Sequence, residues 1–437
     1  MAAISDGRHI LFRMDRMDLQ ALCNQAAGCH QGGRLEEAER LYRNVIQADG
    51  RNFFAHHMLG ILCAQQGRTH EALDLIAAAI RINPASAEAL SNYANLLTML
   101  GRASEALAAF DRALAIGPRY AETLTNRANI LWGLKRPSEA LDGYREALGL
   151  KPGLIEALVG SANALRELGR LEEALAALDR ALALRPDAAL LLRNRGALLQ
   201  ALKRPDRALA DLDRALRLEP RNAEALSNRG IALSHLKRFD EALASYAQAL
   251  AINPGLVEAL SNRGHTLKDM HRPQEALASY DQALAADPGH ARALNSRGQV
   301  LAELGDFAQA LACHERVLAG GAPIPSARAD AANAALNLCD WPKAAEFGAE
   351  ILARLGDPDL SVPPLLALYY DWEPQAQAQC ARAWVRAGWC SSTSGMSYCR
   401  GDVLPATTQR IQQRNSVDDS VRFPQKNSTG TTTSSRS

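Results

Sequence analysis

Aromatic side chains make up only 5% of the 437 residues, and neither sign of charge prevails: 49 Lys and Arg stand against 48 Asp and Glu, a formal net charge of +1. A protein that holds nucleic acid by summed phosphate contacts carries a basic excess, so nucleic acid is not an expected partner. No stretch reaches the roughly 18 uncharged apolar residues of a membrane span. The opening MAAISDGRHILFRMDRMDLQ is broken by Asp6, Arg8, Arg13, Asp15, Arg16 and Asp18, so it has no apolar export signal. A soluble, cytoplasmic chain away from membranes is expected. The eight cysteines, Cys23, Cys29, Cys63, Cys313, Cys339, Cys380, Cys390 and Cys399, form no CxxC pair and no regular spacing, as small buried hydrophobes in a reducing compartment would. Catalytic strings are missing as well: there is no GxGxxG, P-loop, GxSxG or HExxH. His56 and His57 are adjacent and point about 100° apart on a helix, while His265 and Asp269 lack a third ligand. No enzyme activity, cofactor or metal site is expected.

What is present in excess is Ala and Leu, within a 47% hydrophobic composition, and both fall in register. Pro84, Pro118, Pro152, Pro186, Pro220, Pro254 and Pro288 follow one another at 34-residue intervals, and nine such units tile residues 19–324. With units starting at Leu19, Phe53, Ala87, Ala121, Ile155, Ala189, Ala223, Val257 and Ala291, the eighth place is always Gly or Ala. The twentieth is Ala without exception: Ala38, Ala72, Ala106, Ala140, Ala174, Ala208, Ala242, Ala276 and Ala310. Two helices must approach closely at these points. Leu131, Leu165, Leu199, Leu233, Leu267 and Leu301 lie three places after the small eighth residue, as an apolar helical stripe requires. Tyr42, Phe110, Tyr144, Tyr246 and Tyr280 recur four places after the invariant Ala and read as packing residues.

Turns such as Gly67-Arg68 and Gly101-Arg102 supply a left-handed cap between the helices, and Arg136-Pro137, Arg204-Pro205 and Arg272-Pro273 are expected to replace it by starting the next helix on Pro. Each unit is thus helix, tight turn, helix and stop. This pattern resembles the tetratricopeptide repeat throughout residues 19–324. The resemblance implies an all-α solenoid, a right-handed superhelix of stacked hairpins whose first helices line the inside, with a charged segment, residues 1–18, as N-terminal cap.

In that family the sixth place of the first helix points into the groove. Here it holds Asn24, Met58, Asn92, Asn126, Gly160, Asn194, Asn228, Asn262 and Ser296. Mid-helix Asn has no propensity rationale, because its side chain competes with the backbone. Its amide can instead bind the N–H and C=O of an extended chain whatever the side chains, so the row is a candidate peptide-binding ladder. Asn95, Asn129 and Asn163, three places on, widen the strip. The alternative is that these amides bond to the neighbouring repeat or to water, or descend from one duplicated ancestor. Arg127, Arg195, Arg229, Arg263 and Arg297 fill the seventh place, and pairing with Glu88, Glu122, Glu156, Glu224 and Glu258 at the second is expected to neutralise them. Some relatives capture acidic chaperone tails with basic fifth and sixth places, and that carboxylate clamp is missing here.

A tenth first helix, residues 326–339, leads into Leu336-Asn337-Leu338-Cys339-Asp340-Trp341. This string, with the Asn row, resembles the junction in the SPINDLY-like O-linked N-acetylglucosamine transferase family, where a superhelix feeds extended segments to a nucleotide-sugar glycosyltransferase. Residues 325–387 read as a partial tenth repeat with bridging helices. Residues 391–437 then hold one Ala, one Leu and 17 Ser or Thr, so residues 388–437 are expected to be a disordered tail, the product of truncation or a frame change. The expected function is a non-enzymatic scaffold for extended segments of other proteins. The alternative is a truncated transferase, active only with a catalytic half in trans; self-association follows if the tail leaves apolar surface uncovered.

Overall fold

A computed structural model describes residues 16–117, 120–355 and scattered positions from 360 to 380. The expected tail lies outside the described residues, as does most of the expected N-terminal cap; the cap's last residues belong to the first turn of the helix Arg16–Gln31. The chain divides into two compact units, residues 1–262 and 263–437.

The described residues fold into helical hairpins and contain no strand. In residues 1–262 the first helices of successive hairpins include Phe53–Gln65, Ala87–Met99, Ala121–Gly133, Ile155–Glu167, Ala189–Ala201 and Ala223–His235. Their second helices include Thr69–Ile82, Ala103–Ile116, Pro137–Leu150, Leu171–Leu184, Pro205–Leu218 and Phe239–Ile252. Several starts carry a side-chain cap: Asn52, Ser86 and Asn222 each accept a bond from the backbone N–H three residues on, at 2.9, 3.2 and 2.9 Å. Each turn closes when the Arg before the second helix donates its backbone N–H to the C=O five residues earlier, as in Arg102 to Leu97 and Arg204 to Leu199 at 2.9 and 2.8 Å.

The turns correct one expectation. Gly67, Gly101 and Gly169 have positive φ as required, but where Gly is missing Pro does not replace the left-handed residue. Lys135, Lys203, Lys237 and His271 adopt φ of 61°, 56°, 61° and 57° themselves. The hairpin needs one left-handed residue before the Arg, and Pro at the following helix start cannot supply it. Each such non-Gly residue costs roughly 1–2 kcal/mol of local strain.

Packing explains the invariant positions. All nine alanines at the twentieth place are 0% exposed. The residue four places later lies over the eighth place of its own hairpin. A Cβ on Gly60, Gly196, Gly230 or Gly264 would come within 2.4–2.8 Å of Ile76, Leu212, Tyr246 or Tyr280 respectively, so glycine makes room for the larger side chain.

In residues 263–437 the helices Ala327–Asn337 and Trp341–Ala353 form a tenth hairpin. Leu355, Leu360, Val362, Leu366 and Cys380 extend its core around Phe347 and Ile351. Of the described cysteines Cys23, Cys29, Cys63, Cys313 and Cys380 are buried, whereas Cys339 is exposed, at φ 55° in the last turn.

Candidate interaction face

Residues at the sixth and ninth places share one side of each first helix, three residues apart, and the sixth place of one hairpin lies beside the ninth place of the hairpin before it. Asn126 donates from Nδ2 to Asn95 Oδ1 at 3.0 Å across that junction. The same rung, 31 residues apart, recurs in the second compact unit with other chemistry: His265 Nε2 to Ser296 Oγ at 2.7 Å, and Gln299 Nε2 to Asp330 Oδ2 at 2.9 Å. Burial, then the nearby Arg292, Lys268 and His290, push the His265 imidazole down to about 4.

Local neighbours decide how each remaining amide is held. Asn92 has Ile61 at the rung position and turns to His57, donating from Nδ2 to Nε2 at 3.1 Å. Burial holds that imidazole below its usual range, against an opposing pull from Glu88, which leaves the ring nitrogen able to accept. Asn129 accepts a 2.6 Å bond from the Tyr144 hydroxyl. Burial pushes that phenol up to about 12, so it stays a donor.

Tyr144 also accounts for the gap in the row. Its hairpin has Ala128 at the eighth place, where the hairpins of Tyr246 and Tyr280 have Gly beneath the ring. A Cβ at Gly160, the sixth place of the next hairpin, would fall 2.4–2.8 Å from the ring and hydroxyl of Tyr144. The ring fills the space that an Asn would need.

Three amides are open. Asn163, Asn194 and Asn228 are half-buried, and their side chains make no hydrogen bond among the described residues. Asn24 is exposed and accepts from Gln20 at 3.1 Å, and Asn262 is half-buried. The structure therefore ties Asn92, Asn95, Asn126 and Asn129 into the fold and leaves a free set on consecutive hairpins.

Four of the five arginines in the row are neutralised, by partners other than those expected. Arg127, Arg195 and Arg229 pair with Asp111, Asp179 and Asp213 on the second helix of the preceding hairpin, at 2.6, 2.7 and 2.6 Å, and Arg297 pairs with Asp281 at 2.7 Å. Arg195 also grips Asp211 with two bonds of 2.7 Å, and these carboxylates raise its pKa further. The second and seventh places lie about 140° apart around a helix, so Glu and Arg there cannot meet. Sequence reasoning missed these aspartates and Tyr144, although both recur in the 34-residue register. Arg263 has Ser279 and Gln282 at 3.1 and 2.8 Å but no carboxylate among the described residues, and burial lowers its pKa.

The second-place glutamates, freed of that role, are all exposed. Glu122 pairs with Lys151 at 2.7 Å, and Glu224 with Arg193. Glu88, Glu156 and Glu258 form no ion pair among the described residues. No His, Cys, Asp and Glu group suited to a metal ion occurs among the described residues, and no described helix is long and apolar enough to cross a membrane. The cleft beside Asn129 has a volume of about 240 Å³, below the range typical of small-ligand pockets.

Consecutive hairpins with an invariant small contact and a common rung define a helical repeat array. Tetratricopeptide-repeat sequence profiles match residues 30–87, 57–121, 94–155, 162–203, 196–257 and 255–321. Together they cover well over half of the chain, which belongs to the tetratricopeptide repeat family. A tetratricopeptide repeat protein from Parabacteroides merdae is similar at a TM-score of 0.52 and 20% identity, over 56% of this chain and 97% of that one. YrrB, a TPR protein with an unusual peptide-binding site, is 29% identical over 43% of this chain and 97% of its own, at a TM-score of 0.35. PilW, a type IV pilus biogenesis factor, is 22% identical over 46% of this chain and 94% of its own, at 0.42. No curated protein matches the chain. The likeness seen at Cys339-Asp340-Trp341 to a glycosyltransferase family finds no counterpart in these comparisons; they extend to the repeats alone.

Proposed function

We propose that the chain is a non-catalytic scaffold that holds extended segments of partner proteins along the amide-bearing face of its first helices. Repeat arrays present long continuous binding surfaces, and this one belongs to a family built for that purpose. The observation that carries the reading is the set of half-exposed, unbonded amides of Asn163, Asn194 and Asn228 on three consecutive hairpins. Each offers two donors and one acceptor to a passing peptide unit. Affinity then adds up from many weak backbone contacts and tolerates change in the partner's side chains.

The test replaces Asn163, Asn194 and Asn228 with Ala and measures fluorescence anisotropy of labelled, unstructured peptides of unrelated sequence. The expected result is a loss of binding for all of them with the helical circular dichroism unchanged. Undiminished binding would remove the amides from the site.

A further inference from the structure

We propose that the amide-bearing face selects one residue of the segments it holds: an apolar side chain of about the size of Leu or Met, seated in the cleft beside Asn129 while the Asn129 amide holds the adjoining backbone carbonyl. The inference rests on the amide-face reading above and adds to it one point at which the partner's side chain matters.

The cleft is continuous with that face. Asn126, Asn129 and Gly133 follow at steps of three and four residues and so share one side of the helix Ala121–Gly133, and Asn95 and Thr98 do the same on Ala87–Met99. The Asn95–Asn126 rung ties these two helices together, and the cleft opens nearer their C-terminal ends. Ile130 and Leu134 line it from one hairpin, Gly101 and Ala103 from the other, and no charged residue borders it. Thr98 spends its hydroxyl proton on the Ala94 carbonyl at 2.9 Å. An apolar cavity of about 150 Å³ accommodates a benzene molecule, so the 240 Å³ here has room for one large side chain.

A dimple in the surface would by itself be ordinary. Two observations give this one an occupant. The first is Gly133, the single glycine at the thirteenth place of the nine units, where Gln31, Gln65, Met99 and Glu167 stand in others. A Cβ added there meets nothing within 4 Å, and the residue is not left-handed, so neither packing nor a turn calls for glycine, which weakens a helix. What glycine does at this place is leave the cleft open. The second is the orientation of Asn129. Its Oδ1 is taken by the Tyr144 hydroxyl at 2.6 Å, which leaves the amide N–H groups of an exposed side chain without an acceptor among the described residues. Donors at the rim suit a carbonyl oxygen, and apolar walls suit a hydrocarbon side chain; one residue of an extended chain supplies both. A charged side chain in the same cleft would lose water and gain no counter-charge.

The experiment uses the full chain and three labelled Gly-Ser peptides identical but for one central residue, Leu, Ser or Asp. Anisotropy titrations are expected to give the Leu peptide roughly tenfold tighter binding than the Ser and Asp peptides. Gly133→Gln, which puts into the cleft the side chain that the first two units carry at this place, should bring the Leu peptide down to the affinity of the Ser peptide in the same variant, with helical circular dichroism unchanged. A photoreactive leucine at the central position should cross-link to the residues that line the cleft. Equal affinity for Leu and Ser peptides in the parent chain would overturn the cleft inference and leave the amide face standing, as would a preference for Leu that survives Gly133→Gln or a cross-link elsewhere. No binding by any of the three peptides would overturn both readings.

Discussion

Hairpins three and four carry amides that are bonded to His57, to one another and to Tyr144, while hairpins five to seven carry the same residue type unbonded. One letter at one place in a repeat thus serves two ends. Asn126 bonds to Asn95 at the preceding ninth place and Asn92 to His57, whereas Asn194, with Asn163 at the same ninth place, makes no hydrogen bond among the described residues. Asn228 follows Ala197 at that ninth place and finds no partner among the described residues. A residue read as a ligand-binding mark wherever it recurs is a structural rung in some repeats.

Acid distinguishes most sharply between an amide rung and its histidine version. His265 is held near 4 in the folded chain, against an ordinary value of about 6.5, so the unfolded state binds a proton that the folded state does not. Stability is full above about 6.5 and falls as the pH drops toward 4, by roughly 3 kcal/mol. Denaturant midpoints at pH 7 and 4.5 should show this loss, reduced in His265→Asn; an equal loss in the variant would assign it to other groups. Filling the gap in the row comes next. Gly160→Asn forces a side chain into the Tyr144 ring and should cost about 1–3 kcal/mol, with Tyr144→Ala returning part of it in the double variant. An additive double variant would mean that the two residues do not compete for the space.

Releasing a held amide is a smaller change. Tyr144→Phe removes the donor to Asn129 and should lower stability by about 1 kcal/mol, since the exposed acceptor recovers water. No change in midpoint would demote that bond to a surface contact. The smallest effect lies in the turns, where Lys203→Gly relieves a left-handed residue and should raise stability by roughly 0.5–1 kcal/mol. A lower melting temperature for this variant would show that the Lys side chain contributes more than its backbone strain costs.

The repeat, its hairpins and its invariant contacts were legible because each depends on residues a fixed distance apart: Ala at the twentieth place and Gly or Ala at the eighth set how near two helices come, whatever surrounds them. The partners of the arginine row were less so. Helix periodicity alone sets Glu122 and Arg127 on different sides, but only the packing of the preceding hairpin shows that Asp111 lies within reach of Arg127. The hold on Asn129 was hidden for a similar reason. Tyr144 reads as a packing residue by position, and only the structure shows its hydroxyl bonded to Asn129 on the first helix of the same hairpin.

The buried alanine at the twentieth place makes the two helices of a hairpin meet in the same way in all nine copies, so a whole copy can be gained or lost without altering that contact in the others. Ala128, Tyr144 and Gly160 are the exception. They belong to two hairpins and work only in combination, so duplication or deletion that parted hairpin four from hairpin five would set a tyrosine ring against an asparagine. That joint is a point where the array resists shuffling.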